Sequence, residues 1–110
     1  MIAKKTRIKL RSIASTIKPT VWVGKDGFTD AVLKQISEEL FNHELIKLAL
    51  QETAPMLDEF ELTEIAVKLG AEVVTVIGRK IVLFKQKLYY TVYNKLKEKL
   101  WKIKNKKLNQ

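Results

Sequence analysis

The chain of 110 residues is long enough for one domain with a short extension. Hydrophobic residues make up 46% of it, enough for a folded core. No apolar run approaches the roughly 20 residues needed to cross a bilayer, and the N-terminus has no signal-peptide pattern. The absence of cysteine excludes disulfides, thiolate metal sites and a cysteine nucleophile. We therefore expect a cytoplasmic protein.

The charges are unevenly distributed along the chain, whose formal net charge is +9. Residues 1–25 hold seven basic and no acidic side chains, and residues 26–74 hold three basic and eleven acidic ones. Residues 75–110 hold eleven basic and one acidic side chain. If both ends fold onto the same side, the protein has a cationic face and an anionic back. We expect such a molecule to bind a polyanion in a fixed orientation.

The first helix is predicted over residues 5–18, where hydrophobic side chains recur at helical spacing. Its apolar stripe consists of Leu10, Ile13, Ala14 and Ile17. Pro19 ends the helix, and the β-branched and aromatic residues 20–23 form a short strand. We expect Trp22 of this strand to pack in the core or at the sheet edge, with base stacking as the alternative.

The second helix is expected to begin after Thr29, because threonine is a good N-cap residue. Its predicted buried side chains are Val32, Leu33, Ile36, Leu40 and Phe41. Residues 45–50 follow this helix, and their alternating pattern predicts a second strand in which every other side chain faces the core.

One more helix and a β-hairpin are predicted to complete the domain. The helix covers residues 57–69 and ends at Gly70, because glycine is common just after a helix. Strands at residues 72–77 and 81–85 follow, joined by a short loop. We therefore expect an α/β fold with three helices and a small mixed four-stranded sheet, in the order αβαβαββ.

A basic C-terminal helix is predicted beyond this domain. We place the boundary after residue 86 and assign residues 87–110 to an amphipathic helical extension. Its apolar positions are Tyr89, Tyr93, Leu96, Leu100 and Ile103, beside a stripe of lysines. Such a helix could also lie on a membrane surface, which is an alternative role for the extension alone.

The most informative motif is the segment from Gly24 to Gly27, between the first strand and the second helix. Two glycines three residues apart allow a tight turn and leave the backbone accessible. The amides of such a turn, beside a helix N-terminus, form an anion site to which Lys25 adds a cation. In a chain of net charge +9 the obvious anion is a nucleic-acid phosphate, which indicates an RNA-binding domain. The candidate RNA-binding residues are Gly24, Lys25, Asp26, Gly27, Lys18, Arg7, Arg11, Arg79 and Lys80. We expect the double substitution Gly24→Asp with Gly27→Asp to weaken RNA binding and to leave the melting temperature of the protein nearly unchanged.

The sequence provides no convincing catalytic or metal site. His43 is the one histidine, and its neighbour Glu44 points away from it on either a helix or a strand. No Ser or Asp is placed to complete a nucleophilic relay, and there is no second histidine for a metal. We therefore expect neither an enzyme nor a cofactor.

Four segments carry a family resemblance: residues 10–19, 23–33, 43–48 and 76–84. In this order and spacing they resemble the CRM domain, named for chloroplast RNA splicing and ribosome maturation, including its single-domain YhbY-type proteins. The resemblance covers about residues 7–86. It implies a fold like the C-terminal domain of translation initiation factor three and RNA binding through the Gly-x-x-Gly loop. It also implies precursors of the large ribosomal subunit as the partner.

We therefore expect a monomeric protein that binds ribosomal RNA during large-subunit assembly, with no membrane partner. The alternative is an Alba-like nucleic-acid or chromatin-binding protein, which is also small, basic and of related fold. Such a protein binds duplex DNA and dimerises, so a preference for DNA over RNA at matched salt would favour it.

Overall fold

The computed structural model describes residues 3–85, which form three helices and one mixed β-sheet. The elements are α1 (Lys4–Ala14), β1 (Val21–Val23), α2 (Asp30–Asn42), β2 (Leu45–Leu50), α3 (Glu59–Leu69), β3 (Glu72–Ile77) and β4 (Lys80–Phe84). This order confirms the predicted α/β fold. None of the described helices is long and apolar enough to span a membrane. The predicted C-terminal helix lies outside the described residues.

The strands lie in the order β1-β2-β4-β3. β1 is parallel to β2, and β4 is antiparallel to both of its neighbours. The C-terminal ends of β1 and β2 therefore lie at the same end of the sheet as the turn between β3 and β4. We call this end, with residues 24–27, 51–53 and 78–80, the loop end.

Hydrophobic residues pack on both faces of the sheet, because successive side chains of a strand point to opposite sides. The α2/α3 face is covered by the second and third helices, and its buried strand residues are Val21, Val23, Ile46, Leu48, Leu50, Ile81 and Leu83. The α1 face is covered by the first helix, and its cluster comprises Ala14, Val74 and Val82 with Leu10, Leu45 and Phe84. The sheet thus lies between two helical layers.

Helix α1 ends four residues earlier than predicted. The hydroxyl groups of Ser15 and Thr16 donate to the carbonyl oxygens of Ser12 and Ile13, at 2.6 and 2.7 Å. Such local bonds compete with continued helix formation. Ile13, which belongs to the apolar stripe of the sequence, is 53% exposed, whereas Ala14 of the same stripe is buried.

Helix α2 begins as the sequence predicts. The hydroxyl oxygen of Thr29 accepts a hydrogen bond from the amide of Val32 at 3.2 Å, which confirms the N-cap. Ile36 and Leu40 are buried, but Phe41 is 66% exposed, so its predicted burial is wrong. One residue is a rotation of about 100° around a helix, which turns Phe41 away from the face that holds Leu40.

Local capping also fixes the ends of the later elements. The Asp58 carboxylate accepts a hydrogen bond from the Glu61 amide at 2.7 Å, so α3 begins two residues after the predicted start. Gly70 has a φ of 65° and ends α3 as expected. Gly78 has a φ of 58° at the first position of the two-residue hairpin loop, as a type II′ turn requires.

Arg7 joins helix α1 to the edge strand β3. Its Nη1 atom donates hydrogen bonds to the carbonyl oxygens of Val73 and Val74, at 2.6 and 3.0 Å. A bulge lies at this point, because the pairing of β3 with β4 passes from Val73 to Thr75. A bulge disturbs the regular pairing of the sheet, and the guanidinium group bonds to two carbonyl oxygens at this point. This contact holds α1 over the sheet.

Candidate nucleic-acid interface

The glycine loop, residues 24–27, forms a β-turn. The amide of Gly27 donates to the carbonyl oxygen of Gly24 at 3.0 Å, with Lys25 and Asp26 at the central positions. Neither central residue has a positive φ, which excludes a type II turn and indicates type I. Within residues 3–85, no hydrogen bond involves the amides of these two residues, and both are exposed. The turn therefore presents free donors to solvent.

The loop leads directly into the N-terminus of α2. The two form a shallow cleft of about 430 Å³, which Gln51 and Thr53 close on the other side. Asp26 and Asp30 add negative charge here and offset both Lys25 and the positive end of the helix dipole. The loop attracts an anion mainly through its amides, so additional attraction depends on cations from neighbouring segments.

The hairpin between β3 and β4 supplies such cations. The Gln51 amide donates to the Val23 carbonyl at 2.9 Å, and the Leu50 amide donates to the Arg79 carbonyl at 2.7 Å. The Arg79 guanidinium donates in turn to the Gln51 carbonyl at 2.9 Å. These bonds hold the hairpin against the end of β2, so that exposed Arg79 and Lys80 lie at the same end of the sheet as the glycine loop.

The structure does not bring the other three predicted cations to the loop end. Arg7 is half-buried and bonded to β3. Arg11 is exposed on α1, and Lys18 is exposed before β1, whose opposite end leads into the glycine loop. Arg11 and Lys18 can add long-range attraction on the α1 side, whereas we leave Arg7 out of the candidate surface.

The two helical layers carry opposite charge. Helix α1 has five basic and no acidic residues. Helices α2 and α3 together have six acidic residues and two lysines, Lys34 and Lys68. The sheet separates these layers, which agrees with the predicted anionic back. The basic C-terminal segment that contributes to the predicted cationic face lies outside the described residues. At long range, this charge separation attracts a polyanion to the α1 side.

A larger groove of about 880 Å³ lies between α3 and β3. Its lining is largely apolar and includes the acidic residues Asp58, Glu59 and Glu72, so it does not suit a polyanion. Residues 3–85 contain no cluster of histidine, cysteine or acidic side chains that could hold a metal ion. Among the described surfaces, the loop end is therefore the candidate site. Sequence patterns missed Gln51 and Thr53, which no motif singles out.

Known proteins resemble this chain over most of its length. The sequence model of the CRS1/YhbY (CRM) domain matches residues 2–85. "Probable RNA-binding protein MJ0652" of Methanocaldococcus jannaschii is 37% identical over 83 residues, which span 74% of this chain and 61% of that protein. "Probable RNA-binding protein YqeI" of Bacillus subtilis is 37% identical over 87 residues, which span 78% of this chain and 90% of that protein.

A solved structure also shares the fold. The solution structure of SAV1595 from Staphylococcus aureus, described as a candidate RNA-binding protein, superposes with a TM-score of 0.61. It is 33% identical in sequence, and the match covers 78% of this chain and 90% of that one. The three-helix arrangement around a mixed sheet is therefore common to both proteins.

The two glycines of the loop should respond differently to substitution. Gly27 has a φ of 72°, and a Cβ atom there would lie 3.0 Å from the Pro55 side chain. At Gly24 the nearest atom would be the Gln51 side-chain oxygen at 3.3 Å, which can move. We expect Gly27→Ala to lower the free energy of unfolding by about 1–2 kcal/mol and Gly24→Ala to change it by less than about 0.5 kcal/mol.

Urea unfolding of both variants and the wild type tests this difference. Equal stability of the two variants would contradict the assigned loop geometry. Because a side chain at Gly27 is strained by the positive φ and by contact with Pro55, the double Asp substitution is expected to lower the melting temperature as well as binding. Gly24 and Lys25 are therefore the better probes of binding.

Proposed function

Because this chain belongs to the CRS1/YhbY (CRM) domain family, we propose that it binds RNA through the loop end of its sheet. RNA binding is supported by the family and by the names of the similar proteins. The observation that carries the choice of surface is the pair of free amides at Lys25 and Asp26, beside the cations Arg79 and Lys80. Amides of this kind bind phosphate oxygens, and the cations add attraction that depends on salt.

The proposed contact is made chiefly to the RNA backbone. A phosphate group lies in the cleft against the amides of the glycine loop and the first turn of α2. Arg79 and Lys80 contact neighbouring phosphates, while the acidic layer of α2 and α3 faces away from the RNA. Because structured RNA is recognised mainly by shape and backbone, we expect modest sequence preference at paired regions. The function is binding and requires no chemical step.

We further propose that the RNA is ribosomal and that the protein acts on precursors of the large ribosomal subunit in the cytoplasm. The support for this finer proposal is the resemblance to the single-domain YhbY-type proteins. A small, charge-separated domain suits this task, because it can cover one RNA site and present an acidic side to the particle around it.

Charge reversal at the loop end should weaken RNA binding. We expect Lys25→Glu with Lys80→Glu to reduce affinity for a ribosomal RNA fragment at least about tenfold, because two phosphate contacts are lost. The slope of log K against log salt should fall by about 1–2, at roughly 0.7–0.9 per contact. Fluorescence anisotropy across a salt series measures both quantities.

The matched control is Lys34→Glu with Lys68→Glu, which changes the net charge equally on exposed positions of the acidic layer. We expect this control to retain nearly the wild-type affinity and slope. Equal losses in the two double variants would show that only net charge matters and would contradict the assigned surface.

The ribosomal assignment predicts where the protein binds in the cell. UV crosslinking of the tagged protein, followed by sequencing of the attached RNA, should recover one region of large-subunit ribosomal RNA. Reads spread over many transcripts would contradict the ribosomal role and leave RNA binding in place. Recovery of DNA instead would favour the Alba-like alternative.

A further inference from the structure

Trp22 lies on the α1 face of the sheet and is largely uncovered. Its strand neighbours Val21 and Val23 are fully buried on the α2/α3 face, so alternation turns the indole ring to the opposite side. There it keeps 59% of its surface exposed, although tryptophan has a large apolar area that normally favours burial. An exposed ring beside a candidate binding loop suggests a ligand.

Trp22 lies in one row of paired strand residues at the loop end. Strand pairing places Trp22 beside Ala49, Ala49 beside Lys80, and Lys80 beside Ile77. Helix α1 packs against rows farther from the loop end, through Leu45, Val74, Val82 and Phe84. Ala49, between the indole ring and the lysine, has only a methyl side chain and is buried beneath its neighbours. An exposed aromatic ring and an exposed cation thus lie in one row, with a small buried residue between them.

This row lies close to the proposed phosphate site along the chain. Trp22 is two residues from Gly24, which corresponds to about 7 Å along a strand. Lys80 lies about 10 Å from Trp22, across two strand spacings of about 4.8 Å. A nucleotide next to a loop-bound phosphate can therefore reach the indole ring, and its own phosphate can reach Lys80.

We propose that Trp22 is a stacking platform for an unpaired base of the bound RNA. Every base has an aromatic face that can stack on an indole ring, and the basic α1 side attracts the adjoining backbone. A base inside a duplex is not accessible in this way. The protein would accordingly prefer RNA in which an unpaired nucleotide adjoins a paired segment. This inference rests on the proposed function and adds the form of RNA that the site selects.

Two RNA probes and three variants test the platform. The probes are an RNA hairpin with an unpaired loop and a fully paired duplex of the same stem sequence, each labelled for anisotropy. We expect Trp22→Ala to bind the hairpin about 5- to 100-fold more weakly than the wild type does. Its affinity for the duplex should equal that of the wild type. Trp22→Phe should retain most of the hairpin affinity. Phe60→Ala, which removes a 71% exposed ring on α3, should change neither affinity.

A fluorescence readout reports the stacking itself. The chain has two tryptophans, so Trp101→Phe leaves Trp22 as the single indole fluorophore. Saturating hairpin RNA should quench this fluorescence more strongly than saturating duplex does. Equal quenching by both RNAs would overturn the proposal.

The results of these experiments distinguish the stacking role of Trp22 from the proposed RNA binding at the loop end. If Trp22→Ala binds both RNAs as the wild type does while the Lys25 and Lys80 variant is weakened, the platform is wrong and the loop-end site stands. The exposed ring would then be available for contact with a protein partner. Equal losses for hairpin and duplex would also overturn the platform, because they would indicate a general surface effect. Failure of the wild type to bind either RNA would overturn both proposals.

Discussion

The parallel pairing of β1 with β2 is the constraint on which the binding surface depends. β1 has only three residues, and the complete burial of Val21 and Val23 fixes which way it faces. The same pairing places the glycine loop beside Gln51, to which the β3–β4 hairpin is tied. A shift of β1 by one residue would bury Trp22 and expose both valines, so this register sets the orientation of Trp22 and the position of the glycine loop.

The sheet also organises the electrostatics. It separates a basic helix from two acidic ones, so attraction at a distance orients the protein before any close contact forms. At the glycine loop, the negative charge of Asp26 offsets the positive charge of Lys25. Specific recognition there depends on the geometry of the backbone amides. Long-range attraction and local recognition therefore come from different parts of the chain. In this account, added salt weakens the long-range attraction but does not weaken the local recognition by the amides.

The features that the sequence predicts correctly are those decided by neighbouring residues. The Thr29 cap, the turn at Gly70 and the order of elements each follow from a few adjacent side chains. The features it misses depend on contacts between distant segments. Arg7 belongs to a basic stripe in the sequence, yet it bonds to a β3 bulge 66 residues away. The space at Gly27 is likewise filled by Pro55, which no local pattern reveals.

The most direct test of the binding surface is a nuclear magnetic resonance titration of the isotope-labelled protein with a ribosomal RNA hairpin. We predict that the largest amide shifts fall in residues 24–31 and 78–80. The outer residues of α3 should change little. Large shifts confined to the groove between α3 and β3, with the glycine loop unchanged, would contradict the central claim that the loop end binds RNA.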